Sequence, residues 1–486
     1  MEKFNKNWLT LALFCNGAAI MVLEILGTRI VAPHFGTTLY VWTALIVVTL
    51  LALALGYYFG GRVADKKPKW NIFYILFSAA SVLFLVIPLV DGFVLSASGK
   101  LGLMWGPLVA ALFLFFIPLG ILGMITPFAV RLNAKEVSRI GQLVGNFYAI
   151  STAGSIFGAL VTAYLLIPNL KISLILVLTA GLLMIITAIW FIVQKKGINN
   201  TFIAMAIFVL LTLLTFNNQP SSALEEVQSF YGLSKVEILS SDLTCITVNN
   251  IPQSCFNPDL NGSAWSYAGL LARAVEMVPN PQHVLVIGDG GGLITREILK
   301  KNSDIGIETV DIDQKIYDLG AEYLHFEDRP NVTKAVSDGR QYLLASKNTY
   351  DVIIIDAFTD TSPVLHLYTR EMFELAASKL TVRGALAVNS FGFNKGQGTE
   401  VVSSIYQTLK TVFLDVYVSP SGNADQQERE FYNFVHFASD HELERLGRVY
   451  DVGVNDKTPV ISDDFNQLEY LSLPLSGYLL NLYTSK

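Results

Sequence analysis

Long apolar stretches in the first 217 residues constrain this chain more than any other feature of its sequence. A helix of about 20 apolar residues crosses the roughly 30 Å hydrocarbon core of a bilayer. Six stretches reach that length, at residues 8–30, 39–61, 71–92, 105–130, 142–167 and 172–194, and a seventh at 202–216 is shorter but wholly apolar. The pattern predicts a multi-span transmembrane domain of six or seven helices over residues 1–217.

Charge divides the chain at the same place. Residues 1–217 carry 14 Lys and Arg against 5 Asp and Glu, a net charge of +9, whereas residues 218–486 carry 20 against 35, a net charge of −15. The acidic second part argues against nucleic-acid binding, because clustered Lys and Arg hold a phosphate backbone. With the N-terminus inside, 11 of the basic residues fall on the inner side and 3 on the outer side, which predicts a multi-pass cell-membrane protein with a cytoplasmic N-terminus.

The number of spans decides on which side of the membrane residues 218–486 lie. Six spans place them in the cytoplasm, and seven place them outside the cell. Cys245 and Cys255 flank a predicted hairpin turn at Asn249-Asn250. A cross-strand disulfide would indicate an oxidising compartment, and two reduced core cysteines fit the same spacing. Both interpretations stay open at the level of sequence.

Two ionisable residues lie in or near the first predicted span. A charge in hydrocarbon is costly, so Glu24 is a functional candidate, with an internal ion pair to Arg29 as the alternative. Arg29 could also reach the membrane interface. Small residues spaced four apart predict close helix packing at three places, Gly56/Gly60, Gly141/Gly145 and Gly154/Gly158.

A glycine-rich turn organises the second part of the chain. Residues 283–287 form a short apolar run with β-branched residues, four glycines follow within residues 288–292, and residues 293–299 continue with a helical pattern. This order predicts strand, turn and helix. Glycines suit such a turn because a ligand can lie against bare backbone, and the helix offers it unpaired N–H groups.

Carboxylates follow the next apolar runs. Residues 305–310 end in Asp311-Ile-Asp313, roughly twenty residues after the glycines, where a nucleoside-binding fold places a carboxylate for the ribose hydroxyls. Later runs end at Asp338 and Asp356. Any one of these aspartates could be a helix cap or a turn residue. Together they indicate a ligand site at the carboxyl edge of an open α/β sheet.

The remaining signals divide residues 218–486 into two predicted domains. Residues 218–264 are β-rich, with hairpin signals at Asn249-Asn250 and Asn261-Gly262, and predict a small β-hairpin domain. Residues 265–486 alternate strands and helices and close with two strands near 414–419 and 434–438. This predicts a doubly wound, Rossmann-like sheet with an antiparallel pair at one edge.

At this point a family resemblance becomes visible. Residues 284–288, 309–313, 337–343, 350–358 and 367–373, in this order, resemble the spermidine synthase family of aminopropyltransferases, and in particular members fused to an N-terminal multi-span domain. Residues 56–66 and 146–158 are similar to segments of that domain. The resemblance implies an α-helical transmembrane bundle followed by a small β domain and a Rossmann-like α/β methyltransferase-type domain. Since the β domain often mediates dimers in this family, it also implies a homodimer.

The resemblance also implies roles for the residues of a nucleoside pocket. Gly288, Gly290 and Gly292 would let the sulfonium side of the nucleoside approach the backbone. Asp311 would hold the ribose hydroxyls, and Asp338 would accept a hydrogen bond from the adenine amino group. The co-substrate implied is decarboxylated S-adenosylmethionine, with S-adenosylmethionine as the alternative, and no Cys/His cluster suggests a metal.

On the acceptor side, Asp356 would face the attacking amine. Chemistry supports this independently, because an alkylamine is almost fully protonated at neutral pH and needs a carboxylate to orient it and accept its proton. Tyr267 and Asp360 are the further substrate-binding candidates. The chain departs from the soluble enzymes here: Thr359 stands where they carry a second aspartate, and Ser263-Ala264 stand where they carry an acidic pair.

The leading functional hypothesis is therefore a membrane-bound transferase that moves an aminopropyl group to an amine or polyamine precursor, in contact with the lipid bilayer. One alternative is methyl transfer from S-adenosylmethionine in the same pocket. Another is a polyamine or nucleoside transporter with a ligand-binding domain, because residues 60–67 resemble the loop after the second span of major-facilitator carriers.

Overall fold

The computed structural model describes residues 2–36, 38–134, 139–194, 198–217, 223–240, 243–359, 362–422, 429–446, 448–453 and 458–484. The chain forms two compact units, Met1–Ser221 and Ser222–Lys486. The β-rich segment and the α/β segment both belong to the second unit. Each unit has hydrophobic clusters of its own.

Helices build the described part of the first unit. They are α1 (Glu2–Phe35), α2 (Leu39–Lys66), α3 (Trp70–Gly99), α4 (Gly102–Asn133), α5 (Ile140–Val161), α6 (Ile172–Gln194) and α7 (Ile198–Asn217). A π-helical turn, Thr162–Leu166, continues α5. Six of these helices are long and apolar enough to cross a membrane, and the seventh contributes a shorter apolar segment, Met205–Thr215. The predicted series of six long apolar helices is confirmed.

Glycines let α2 and α4 pack backbone against backbone. A Cβ added at Gly56 would overlap the carbonyl oxygen of Gly120, and one at Gly60 would lie 2.6 Å from the Cα of Met124. No larger residue fits at either position without moving a helix. The close approach predicted from the Gly56/Gly60 spacing is confirmed.

The other two small-residue pairs behave differently from each other. Gly154 and Gly158 face α1 so closely that a Cβ at either would overlap its backbone. At Gly141 and Gly145, by contrast, no described atom lies within 4 Å of the added Cβ. The prediction of a close contact within this chain is therefore wrong for Gly141/Gly145.

The second unit begins with a five-stranded antiparallel sheet. Its strands follow one another in chain order as β1 (Glu225–Gln228), β2 (Leu233–Ser240), β3 (Leu243–Val248), β4 (Ile251–Asn257) and β5 (Gly262–Ser263). The turn between β3 and β4 places Asn249 and Asn250 at φ 50° and 66°, the left-handed conformation that asparagine tolerates in tight hairpins. Cys245 and Cys255 pair across this hairpin in a disulfide, so the first of the two interpretations open from sequence is the one seen.

A seven-stranded sheet follows. Its strands are β6 (His283–Ile287), β7 (Gly306–Asp311), β8 (Val332–Val336), β9 (Tyr350–Ile355), β12 (Leu380–Phe393), β13 (Asp415–Pro420) and β14 (Phe431–Ser439), arranged in the order β13-β14-β12-β9-β6-β7-β8. β12, β9, β6, β7 and β8 run parallel, and β14 pairs antiparallel with both β12 and β13. The predicted Rossmann-like sheet with an antiparallel edge pair is confirmed.

Helices flank this sheet, and a short hairpin of β10 (Phe358–Thr359) and β11 (Ser362–Pro363) follows β9. The helices are α8 (Ser266–Ala272), α9 (Leu293–Lys301), α10 (Gln314–Tyr323), α11 (Gly339–Ala345), α12 (Arg370–Lys379), α13 (Glu400–Lys410) and α14 (Leu468–Thr484). Residues 284–287 and 352–355 are almost fully buried, as expected for central parallel strands covered on both faces. The parallel strands end at one edge of the sheet, where the glycine turn and the aspartates follow.

Candidate active site

The turn after β6 depends on glycine at three positions. Gly288, Gly290 and Gly292 have φ angles of 88°, 49° and 77°, a region that side chains disfavour. A Cβ on Gly288 would overlap the carbonyl oxygen of Asp356, and one on Gly292 would overlap the ring of Phe326. Both conformation and space therefore require glycine at positions 288 and 292.

Asp289, inside this turn, caps the following helix. Its carboxylate accepts hydrogen bonds from the backbone N–H groups of Ile294 (3.0 Å) and Thr295 (3.3 Å), and from the Thr295 hydroxyl. The side chain is 3% exposed, and burial raises the pKa of its carboxyl. A carboxylate here satisfies N–H groups that the first turn of α9 leaves without helical partners.

Asp311, at the end of β7, holds the glycine turn in place. Its Oδ2 accepts from the N–H of Gly290 at 3.1 Å, and its Oδ1 accepts from the N–H of Asp313 at 3.0 Å. Burial raises the pKa of Asp311 to about 6; the hydrogen bonds from Asp313 and Gly290 oppose the rise, and the charges of Asp313 and Asp289 add to it. Each oxygen keeps a second lone pair for a ligand hydroxyl.

Asp338 follows β8 and has two partners. Its Oδ1 accepts from the N–H of Gln341 at 2.9 Å and so caps α11, as the helix-cap interpretation of the sequence allows. Its Oδ2 lies 2.6 Å from Nε2 of His366, which is in the short segment after the β10–β11 hairpin. The neighbouring Arg340 forms a bidentate pair with Asp463, at 2.7 and 2.6 Å.

Asp356 directly follows β9 and lies at the same edge of the sheet. Its Oδ1 accepts from Nδ2 of Asn389 at 2.7 Å, and Tyr267 also hydrogen-bonds to it. Burial raises the pKa of Asp356 to about 7; the charges of Asp289 and Asp311 add to the rise, and the hydrogen bonds from Asn389 and Tyr267 oppose it. A carboxyl with a pKa near neutrality suits a general base.

The five-stranded sheet contributes to the same edge. Oγ of Ser254, on β4, accepts from the N–H of Gly291 at 3.3 Å. Tyr231, before β2, lies close enough to Asp313, Asp311 and Asp338 for their charges to raise the pKa of its hydroxyl, after burial as the larger cause. The site is therefore formed by both sheets.

Most of the predicted site residues meet at this edge. The three glycines, Asp311 and Asp338 follow β6, β7 and β8, and Asp356 and Tyr267 are in direct contact. Asp360 lies outside the described residues. Within the described part of the chain, no cluster of three or more His, Cys, Asp or Glu could hold a metal ion.

Sequence reasoning missed several residues of the site, among them His366, Asn389, Ser254 and Tyr231. The sequence contained a pattern that could have identified Asn389, because it follows the apolar run 384–388 as the aspartates follow the other apolar runs. Ser254 and Tyr231 had no such pattern, because they reach the site only through the packing of one sheet on the other.

Comparison with known families agrees with this geometry. Residues 267–421 match the family described as the spermine/spermidine synthase domain. The matching segment lies in the C-terminal part of the chain. The match includes Tyr267, the glycine turn and the three aspartates that end β7, precede α11 and follow β9.

Curated relatives that this chain resembles are named as transferases. A probable polyamine aminopropyl transferase of Bifidobacterium longum is 30% identical over 199 residues, 39% of this chain and 44% of the relative. The polyamine aminopropyltransferase of Bacillus subtilis is 32% identical over 139 residues, 28% of this chain and 50% of the relative. The chain thus spans about half the length of the curated relatives it matches.

Solved structures resemble the chain as well. The spermidine synthase of Thermotoga maritima aligns with 54% of this chain and 88% of its own, at 20% identity and a TM-score of 0.38. A probable spermidine synthase of Corynebacterium glutamicum covers 46% of this chain and 82% of its own, at 20% identity and a TM-score of 0.40.

Proposed function

We propose that the protein is a membrane-bound aminopropyltransferase that moves the aminopropyl group of decarboxylated S-adenosylmethionine to an amine. The observation that carries the proposal is the environment of Asp356. This carboxyl has a pKa of about 7 and receives hydrogen bonds from Asn389 and Tyr267. It stands beside a glycine turn whose conformation suits the approach of a nucleoside.

The chemical step needs little beyond placement and one base. The amine nitrogen attacks the methylene carbon of the aminopropyl chain that is bonded to the sulfonium. A carbon–nitrogen bond forms, and the bond between that carbon and sulfur breaks with its electron pair going to sulfur. The products are the aminopropylated amine and neutral methylthioadenosine. Asp356 takes the proton that the nitrogen must lose and returns it to solvent. A sulfonium is a good leaving group, so orientation supplies most of the remaining rate.

Donor binding would use the turn and two aspartates. Asp311 would accept from the ribose hydroxyls with the lone pairs that Gly290 and Asp313 leave free. Asp338 would accept from the adenine amino group, and because His366 shares its Oδ2, the histidine would lie beside the base. The turn formed by Gly288, Gly290 and Gly292 would offer bare backbone to the sulfonium side of the donor.

Acceptor binding would centre on Asp356. Because Tyr267 already hydrogen-bonds to this carboxyl, we assign it to positioning Asp356 and the amine together. Asp360 remains the candidate for a second ammonium group. Ser263-Ala264 replace an acidic pair of the soluble enzymes, so the acceptor class is the open part of the proposal.

Membrane location is proposed from the first unit. Six helices of sufficient length and apolarity support insertion, and the excess of basic residues in one set of loops supports a cytoplasmic N-terminus. We expect the side of the second unit to depend on α7. Its 20 residues extend about 30 Å at 1.5 Å per residue, enough for a seventh crossing.

Mass spectrometry on detergent-purified full-length protein tests the function. The protein is incubated with decarboxylated or intact S-adenosylmethionine, with and without a panel of amines. Methylthioadenosine that forms only with an amine is the expected result, and it identifies the product by mass. Adenosylhomocysteine would replace the proposal with methyl transfer, and neither product would refute transferase activity towards the panel.

A matched pair of variants completes the test. Asp356→Asn should abolish transfer while leaving donor binding intact. Asp351→Asn is the control, because Asp351 is on the same strand but caps the N–H groups of Gln282 and His283 at the opposite end. Transfer that survives Asp356→Asn at more than a tenth of the original rate would contradict the assigned role.

A further inference from the structure

The first unit contains a carboxylate in the middle of a proposed membrane span. Glu24 belongs to α1, whose apolar span runs from Asn7 to Phe35. At about 1.5 Å per residue, Glu24 lies about 26 Å from Asn7 and about 17 Å from Phe35, close to the centre of the span. If the unit is inserted as proposed above, this side chain lies within the hydrocarbon layer, where carboxylates are rare and mark functional sites.

Nothing in the described ranges neutralises this carboxylate. No described side chain or backbone group forms a hydrogen bond or an ion pair with Glu24, so the ion pair with Arg29 considered from the sequence is not formed. The side chain is half-buried. Burying an unpaired carboxylate is unfavourable, which points to a missing partner.

The contacts between α1 and α5 show what faces Glu24. A Cβ at Gly158 would lie 2.6 Å from Cα of Ala18, and one at Gly154 would overlap the carbonyl of Phe14. A step of four residues on one helix thus matches a step of four on the other, so the two helices run parallel and in register. Within this contact, Oγ of Ser155 donates to the carbonyl oxygen of Gly17 at 3.1 Å.

The same register places a second polar group opposite Glu24. Seven residues are about two helical turns and return to the same face. Seven residues after Gly17 comes Glu24, and seven residues after Ser155 comes Thr162. Thr162 is fully buried, and its hydroxyl has no hydrogen-bond partner among the described residues.

Thr162 also begins an irregular turn. From Thr162 to Leu166 the chain forms a π-helix, closed by the N–H of Ile167 donating to the carbonyl oxygen of Thr162 at 3.0 Å. Such wide turns are rare and are frequently found at functional sites. Three independent features therefore meet at one level of the α1–α5 contact: an unpaired carboxylate, a buried unpartnered hydroxyl and a π turn.

We infer that Glu24 and Thr162 form a binding site for one monovalent cation inside the helical unit. Both groups offer oxygen atoms, the ligands preferred by alkali-metal ions and by protonated amines. One positive charge would neutralise Glu24, and the Thr162 hydroxyl would gain its missing partner. A divalent ion is disfavoured, because Glu24 carries a single negative charge and would leave half of the charge of such an ion without compensation from these two residues. An alkali ion and an alkylammonium ion share this chemistry, and the experiment separates them.

The test measures cation-dependent thermal stability of the full-length protein in detergent, at constant ionic strength. N-methyl-D-glucamine chloride is the reference, and it is replaced stepwise by sodium, potassium or methylammonium chloride. We expect one of the three to raise Tm in a saturable manner, which identifies the ion class. The readout needs neither donor nor transfer activity, so its outcome is separate from that of the proposed aminopropyl transfer.

Variants locate the site. Glu24→Gln and Thr162→Val should each weaken the apparent affinity at least tenfold, and Thr162→Ser should restore it because it keeps the hydroxyl. Ser155→Ala is the matched control, since it removes a hydroxyl from the same helix contact two turns away and should leave the affinity unchanged. If Glu24→Gln does not fold, the cation affinities of Thr162→Val, Thr162→Ser and Ser155→Ala still show whether the site includes the Thr162 hydroxyl.

Two results would overturn the inference. One is the absence of any cation-specific rise in Tm; if Glu24→Gln is then as stable as the original protein, Glu24 is simply protonated. The other is a cation response of the original protein that is unchanged in Glu24→Gln or in Thr162→Val.

Discussion

Replacing Asn389 by leucine should move the pH dependence of transfer to higher pH. Nδ2 of Asn389 donates to Oδ1 of Asp356 at 2.7 Å, and this hydrogen bond favours the charged carboxylate. Leucine has nearly the same shape but cannot donate. The activity of the protein without substitutions should rise as the pH passes about 7, because Asp356 must be deprotonated to accept a proton from the amine.

The size of the shift follows from the strength of that bond. A hydrogen bond to a charged group contributes about 1.5–3 kcal/mol, and about 1.4 kcal/mol corresponds to one pKa unit. The pKa of Asp356 should therefore rise by about one to two units in Asn389→Leu. At pH 7 the deprotonated fraction would fall from about one half to below about one tenth, with a matching loss of kcat/KM.

The assay is the rate of methylthioadenosine formation between pH 5.5 and 9.5, with one amine at a fixed concentration below its KM. Protonation of the free amine also shapes the profile, but it is the same for every variant, so only the difference between profiles is interpreted. Asn433→Ala is the control, because Oδ1 of Asn433 accepts from Asn389 at 3.4 Å without touching Asp356. An inflection that stays in place or moves to lower pH in Asn389→Leu would refute the assignment of Asp356 as the base.

Three further outcomes are expected. Asp311→Asn should raise the KM for the donor at least tenfold and leave the KM for the amine unchanged, because Asp311 holds the glycine turn, and steady-state kinetics with each substrate varied would show it. Gly292→Ala should lower the free energy of unfolding by about 2 kcal/mol or more, because the new Cβ would overlap Phe326 and alanine disfavours the left-handed conformation. Denaturant titration measures the loss, and an unchanged midpoint would contradict the steric argument. Reducing the bond between Cys245 and Cys255, which are 10 residues apart, should cost about 2–3 kcal/mol through loop-closure entropy, whereas an identical Tm with and without reductant would show that the bond does not form in solution.

Local patterns in the sequence were sufficient for the main features of the α/β sheet. Strand, turn and helix around Gly288 follow from short-range signals, and the carboxyl ends of parallel strands meet at one edge in any such sheet. Asp311 and Asp356 could therefore be singled out without coordinates. The same rule applied to the apolar run 384–388, which Asn389 follows within β12, would have identified the partner of Asp356.

Features that depend on which helix or strand packs against a given segment could not be predicted from the sequence. The spacing of Gly141 and Gly145 is the same as that of Gly56 and Gly60, but among the described residues another helix packs closely only on the latter pair. Spacing identifies a surface on which a helix can pack and carries no information about which helix packs there. Asp289 is a comparable case, because a carboxylate in a glycine turn can face a ligand or cap a helix, and only the orientation of α9 shows that it caps.

The hydrogen bond from the N–H of Gly291 to Oγ of Ser254 connects the glycine turn after β6 to strand β4 of the five-stranded sheet. Because side chains alternate along a strand, a slip of one residue in β4 would turn Ser254 away and leave the Gly291 N–H without its partner. The neighbouring Cys255 is bonded to Cys245 on the adjacent strand, and this bond prevents such a slip. A fragment that begins at residue 265 would contain every glycine of the turn and Asp311, but it would lack Ser254, which accepts the hydrogen bond from Gly291.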